Sequence, residues 1–186
     1  PENAPFPLQT SLYSASKVAS EALIQAYCSS YGFQGYIFRF VSLLGERYTH
    51  GHVLDFYRKL QRDPRQLEVL GDGQQQKSYL YVHDAIDAMF LATANTAYPV
   101  YIYNLGTDEY CKVNDSIRWI AEALGIPRPI CTYTGGSRGW AGDNPFIYLD
   151  TTKICALGWR PTKTIEEAIK ATVIDIHARE GAKPCA

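Results

Sequence analysis

Strand-forming segments alternate with amphipathic helix patterns along most of this chain. Residues 35–41 are nearly continuous in amino acids that favour strands, and residues 100–105 form a second such run. Strands that are apolar on both faces are typical of parallel sheets, because helices cover both faces of such a sheet. The alternation therefore predicts an α/β fold in which helices connect parallel strands.

Several helix ends are marked by residues with strong local preferences. Apolar residues recur at intervals of three and four over residues 13–31, and Gly32 supplies a left-handed stop. Asp84 is predicted as the N-cap of another helix, while Thr164 and Glu167 have the spacing of a capping box. The apolar residues expected on the inner face of the helix after Asp84 are Ile86, Met89 and Phe90.

The composition limits the class of partner. A chain of 186 residues that is 46% hydrophobic can bury the core of one globular domain. Its formal charge of -1 does not provide the positive field that nucleic acid or an anionic membrane attracts. The five cysteines form no C-x-x-C pair, and no apolar run approaches the ~20 residues of a membrane span. We expect a cytoplasmic protein with reduced thiols, no metal and a small-molecule ligand.

Tyr13 and Lys17 stand four residues apart, so their side chains share one face of the first predicted helix. A phenol is a weak base at neutral pH, but a nearby ammonium favours its ionised form. Such a tyrosine can accept a proton from a substrate hydroxyl. With 14 tyrosines in the chain, the spacing also arises by chance, so the motif alone is weak. Its place at a helix start, just before a buried strand, favours the catalytic interpretation.

Four segments, in order along the chain, resemble one known family. Residues 11–17 contain a Tyr-x-x-x-Lys motif, and residues 39–45 read Arg-Phe-Val-Ser-Leu-Leu-Gly. Residues 71–84 begin Gly-Asp-Gly and end Tyr-Val-His-Asp, and residues 142–161 end Leu-Gly-Trp-Arg-Pro. These segments are similar to those of extended short-chain dehydrogenases/reductases, the NAD-dependent epimerases and dehydratases, and above all of UDP-glucose 4-epimerases.

The resemblance implies a function and a set of site residues. It implies an NAD-dependent sugar-nucleotide epimerase in which Tyr13 is the catalytic acid/base, and Lys17 binds the nicotinamide ribose and favours the ionised tyrosine. Phe40 would lie against the cofactor. The residues implied in substrate binding are Ser42, Lys77 and Arg138, the two cations facing the diphosphate of the nucleotide sugar.

This sequence departs from the family pattern at three places. Ser42 stands where these epimerases commonly carry asparagine, and Lys77 stands where they usually carry arginine. The family also places a G-x-x-G-x-x-G loop and five strands before the tyrosine motif, and the sequence before Tyr13 contains none of them. NAD would therefore be bound mostly by an absent amino-terminal half, and we expect the chain alone to be inactive.

The resemblance also implies a division of the chain. Residues 1–47 and 84–107 would be the end of a Rossmann-type parallel sheet, and residues 48–83 and 108–186 the smaller substrate domain. The apolar residues of the 100–105 strand, with Val18, Ile37 and Phe38, would then lack the sheet on which they pack, so we expect a homodimer or association with the missing half. Two alternatives stay open: a non-catalytic binding or assembly module, and a sugar-nucleotide dehydratase or reductase.

Overall fold

Helices and strands alternate along the computed structural model, which describes residues 2–3, 11–95, 97–136 and 148–181. The helices are α1 (Leu12–Tyr31), α2 (His52–Arg62), α3 (Val82–Thr93), α4 (Val113–Leu124), α5 (Thr152–Cys155) and α6 (Ile165–Gly181). The strands are β1 (Gly35–Phe40), β2 (Ser42–Leu44), β3 (Gln66–Val69), β4 (Gln76–Lys77), β5 (Tyr79–Tyr81), β6 (Val100–Leu105), β7 (Cys111–Lys112) and β8 (Ile130–Tyr133). None of the helices described is both long and apolar enough to span a bilayer.

The strands pair mainly in parallel. β1 pairs with β6, β2 with β5, and β3 with β8, all in parallel, while β4 and β7 are antiparallel. β1 leads into β2 through Val41, whose backbone N–H donates to the carbonyl of Leu105. The predicted α/β class with a parallel sheet is therefore confirmed.

Two apolar clusters form the core. The larger cluster lies between α2, α4, α6 and the strands β3 and β5, and includes Tyr57, Leu60, Ile117, Ile120, Ile169 and Ile176. The smaller cluster lies between α3, β1, β6 and α5, and includes Val41, Leu80, Ala88, Tyr103, Leu105 and Ile154. Leu44 belongs to the larger cluster and Val41 to the smaller one, so the β1–β2 segment runs from one to the other.

The inner face of α3 is built from alanine. Ala85, Ala88 and Ala92 are fully buried, whereas Phe90 is 74% exposed. The rings of Tyr101 and Tyr103 are buried in the same cluster and stack with their centroids 6.1 Å apart. Because these large rings of the sheet fill the space, the facing side chains of α3 have to be small. The prediction that Ile86 and Phe90 face inward was wrong, and Met89 is partly buried against the cluster.

Asp84 also has a different place from the one expected. α3 begins at Val82, so Asp84 lies inside its first turn and is not the N-cap. Its carboxylate is buried and accepts hydrogen bonds from the Thr162 hydroxyl at 2.6 Å and the Lys163 backbone N–H at 3.4 Å. The carbonyl of Asp84 accepts from Trp159 Nε1 at 2.9 Å. Asp84 therefore joins α3 to the chain segment that precedes α6.

Other local predictions are confirmed. α1 ends at Gly32, which has a left-handed φ of 71°. The backbone N–H of Thr164 donates to the Glu167 carboxylate, and the N–H of Glu167 donates to the Thr164 hydroxyl, as a capping box requires. The expectation that Ile37 and Leu105 lack a packing partner was wrong, because both are buried in the chain itself. The exposed apolar side chains lie elsewhere, among them Leu12, Leu23, Tyr27 and Tyr31 of α1 and Phe33 after it.

Candidate active site

Tyr13 and Lys17 lie in the first turns of α1. The helix is capped by Ser11, whose hydroxyl accepts from the backbone N–H of Ser14 at 3.1 Å. The Lys17 ammonium lies 5.4 Å from the centroid of the Tyr13 ring. Tyr13 is 72% exposed, and Lys17 is exposed as well. The structure thus brings the two predicted groups together on a face that is open to a cofactor or substrate.

Phe40 and Ser42 lie at the end of β1 and the start of β2. Phe40 is 49% exposed, so its ring is available to a ligand. Ser42 is exposed and is paired in register with Tyr79 of β5. Because parallel α/β sheets bind ligands beyond the carboxyl ends of their strands, the end of β1 is where a substrate is expected.

Lys77 lies in β4, just before the strand that pairs with β2. It precedes Tyr79 by two residues, and Tyr79 is the register partner of Ser42. Lys77 is partly buried and opposite Cys111 of β7. The third residue predicted to contact substrate, Arg138, lies outside the described residues.

Two buried polar atoms near Lys77 were not identified from the sequence. Gln75 Oε1 and Ser78 Oγ are buried, and neither atom has a hydrogen-bond partner within the part of the chain that the structure describes. Buried polar atoms are usually paired, because leaving one unpaired costs free energy. Gln75 belongs to a run of three glutamines that reads from sequence as a polar turn, so no local signal distinguishes it.

A carboxylate anchors the loop that follows β2. Tyr81 donates its hydroxyl hydrogen to Glu46 Oε1 at 2.8 Å, and His83 Nε2 lies 2.9 Å from Glu46 Oε2. The hydrogen bond from Tyr81 lowers the pKa of Glu46, and the same bond, with burial, raises the pKa of Tyr81 to about 12. The next residue, Arg47, donates its backbone N–H to Asp175 of α6 at 3.1 Å. The loop that follows β2 is thus fixed to β5, α3 and α6.

Gly71 and Gly73, the G-x-G of this sequence, form a packed turn rather than a phosphate loop. They lie between β3 and β4, so they do not open a helix toward a dinucleotide. A side chain at Gly73 would come within 2.5 Å of Asn114 Oδ1 and 2.6 Å of Tyr133 Cε1, which explains glycine at this position.

The family is decided by comparison with known proteins. The model of the NAD dependent epimerase/dehydratase family matches residues 1–106. This chain belongs to that family. It is 31% identical over 177 residues to a putative UDP-glucose 4-epimerase of Methanocaldococcus jannaschii, a match that covers 92% of this chain and 55% of the relative.

Other family members are similar to a comparable extent. A dTDP-D-glucose 4,6-dehydratase of Mus musculus is 28% identical over 168 residues, which cover 88% of this chain and 47% of the relative. A crystal structure of a UDP-galactose 4-epimerase superposes with a TM-score of 0.83 at 35% identity, over 97% of this chain and 57% of that one. The chain therefore spans about half the length of these family members.

Proposed function

We propose that this chain carries the acid/base pair of an NAD-dependent sugar-nucleotide 4-epimerase. The observation that carries the proposal is the exposed pair of Tyr13 and Lys17 at the start of α1, with the Lys17 ammonium 5.4 Å from the centroid of the Tyr13 ring. Both residues lie inside the region that matches the family. Epimerases at 35% and 31% identity and a dehydratase at 28% identity all match the chain, so the product of the reaction decides between the two activities.

The chain's own residues would handle the proton. NAD, when bound, supplies the acceptor and later the donor of hydride at the sugar carbon. The Tyr13 oxygen takes the hydroxyl proton of that carbon as the carbonyl of a 4-keto sugar forms, and returns it when the carbonyl is reduced from the other face. The Lys17 ammonium stabilises the ionised phenol electrostatically and donates to the nicotinamide ribose.

Substrate binding is assigned to Ser42, Lys77 and Arg138. A diphosphate needs positive charge, and Lys77 provides it as a point charge without the two-pronged geometry of a guanidinium. The Ser42 hydroxyl is shorter than the asparagine amide that these epimerases commonly carry. Both differences predict a diphosphate that is held less rigidly than in relatives with arginine and asparagine.

The division into a Rossmann-type part and a substrate domain is part of the proposal. In the described residues, β1 has β6 on one edge and no strand on the other. α1 contacts β1 and carries exposed apolar side chains. Both features are consistent with further strands that bind the rest of NAD, supplied by an amino-terminal half, and with a dimer through α1.

One experiment separates the 4-epimerase from its alternatives. The chain is assayed alone and together with the amino-terminal dinucleotide-binding half, with NAD and a panel of nucleotide sugars, and the sugar products are analysed by NMR. An inverted carbon 4 with no loss of water is the expected result. A 4-keto-6-deoxy product would identify a dehydratase, and no reaction with any nucleotide sugar would favour a binding module.

Tyr13→Phe tests the catalytic assignment. This variant keeps the ring but loses the proton acceptor, so turnover should fall by about a thousandfold or more while substrate affinity changes little. Tyr31→Phe is the matched control, because Tyr31 is an exposed tyrosine at the other end of the same helix. Retained turnover in Tyr13→Phe would remove Tyr13 from the mechanism.

A further inference from the structure

α1 has little apolar contact to hold it in place. Of its 20 described residues, Cys28 alone is buried, and it lies at the far end of the helix from Tyr13 and Lys17. Among the described residues, the ion pair of α1 joins Glu21 to Arg39 of β1. Arg39 Nε lies 2.8 Å from Glu21 Oε1 and Arg39 Nη2 lies 2.6 Å from Glu21 Oε2, so the contact is two-pronged.

Both residues of this ion pair lie close in sequence to proposed site residues, Glu21 on α1 and Arg39 on β1. Glu21 is four residues after Lys17, as Lys17 is four after Tyr13, so the three side chains follow one another along neighbouring turns of α1. Arg39 directly precedes Phe40, at the end of β1 where the cofactor is expected. The pair therefore fixes the helix that carries the acid/base groups against the strand end that forms the site.

Charge gives Arg39 a second effect. A carboxylate one turn from a lysine on a helix attracts its ammonium. In this structure Glu21 is paired with Arg39, and among the described residues the Lys17 ammonium has no ion-pair partner and lies by the Tyr13 ring. Glu21 is thus occupied by Arg39, which leaves Lys17 available to Tyr13.

We propose that Arg39 is a positioning residue that holds the Glu21 carboxylate away from Lys17 and so preserves the Tyr13–Lys17 pair. The inference rests on the proposed function. Removing only Arg39 releases a carboxylate that competes for Lys17, whereas removing both charges leaves nothing to compete. The double replacement should therefore be less harmful to catalysis than the single one.

The test compares single variants of Arg39 with the double variant in the complete epimerase, assembled as in the product assay. Arg39→Gln should lower kcat by at least tenfold, while KM for the nucleotide sugar changes by less than about threefold. Glu21→Gln/Arg39→Gln should recover kcat to within about threefold of the unmodified enzyme. Arg39→Lys should also keep most of kcat, because it retains the charge that occupies Glu21.

Stability separates positioning from a purely structural role. Arg39→Gln and the double variant lose the same ion pair, so their urea unfolding midpoints should be lowered alike although their kcat values differ. Arg58→Gln is the matched control, since Arg58 makes a similar two-pronged pair with Glu180 away from the site and its loss should leave kcat unchanged. A double variant no more active than Arg39→Gln would overturn the proposal. If Tyr13→Phe is inactive in that same experiment, the proposed function stands and only the role of Arg39 fails.

Discussion

Single residues in this chain have roles that depend on distant partners. Asp84 was expected to cap α3 because Asp is common at helix starts, but its carboxylate instead holds the Thr162 hydroxyl and the Lys163 N–H, 78 and 79 residues later. Glu46 holds Tyr81, 35 residues away, and anchors the loop beside the site. The preference of aspartate for helix starts placed Asp84 near the start of α3, but it did not predict the distant groups that its carboxylate binds.

Asp84→Ala should destabilise the fold. The replacement removes a buried acceptor of two hydrogen bonds, and hydrogen bonds to a charged group are worth more than neutral ones, so we expect a loss of about 2 kcal/mol in the free energy of unfolding. Urea denaturation followed by far-UV circular dichroism measures it. Asp87→Ala, an exposed aspartate one turn later on α3, is the control and should change stability little. Equal stability of the two variants would contradict this role of Asp84.

At the scale of helices and strands, the sequence predicts those elements whose ends are set locally. The left-handed glycine at Gly32 and the capping box at Thr164 were correctly identified, because each involves residues within one turn. The short strands β2 and β7 were missed, because two or three residues become a strand only through partners far along the chain. For the same reason Tyr13 and Lys17 were found together, whereas the pairing of Glu21 with Arg39 was not foreseen.

The contact between α1 and β1 depends on a glycine. A methyl group at Gly35 would lie 2.6 Å from Cys28 Sγ and 3.1 Å from Ile24 Cγ2, which is closer than packed atoms tolerate. Gly35→Ala should therefore cost about 1–3 kcal/mol of unfolding free energy, as overpacking does. Cys28→Ala in the same chain should restore part of that loss. Gly181→Ala is the control, because its nearest neighbour would be 3.7 Å away, and an unchanged unfolding midpoint in Gly35→Ala would refute the close contact.

At the scale of the molecule, one cluster of exposed apolar side chains lies on α1 and just after it. Leu23, Tyr27 and Tyr31 of α1 are all exposed, and the rings of Tyr27 and Tyr31 stack at 5.5 Å with Phe33 beside them. A continuous apolar patch of this kind marks an interaction surface. The chain spans about half the length of the family members that it matches.

The chain alone should therefore associate in solution. Sedimentation velocity at increasing protein concentration should show oligomers, and Leu23→Lys/Tyr27→Lys should shift the chain to monomer by placing charge in the patch. Ile174→Lys, an equally exposed apolar residue on α6, should leave the distribution unchanged. A chain that stays monomeric at every concentration would show that the patch does not mediate self-association.

The pairing of β1 with β6 joins Gly35 to Val100, 65 residues later. At an elongation rate of ~5–20 residues per second, about 3–13 s pass between the emergence of the two strands. During that interval α1 is complete, while β1, the strand against which it docks, lacks its partner β6. Nascent chains stalled within this window should be the ones that recruit chaperones.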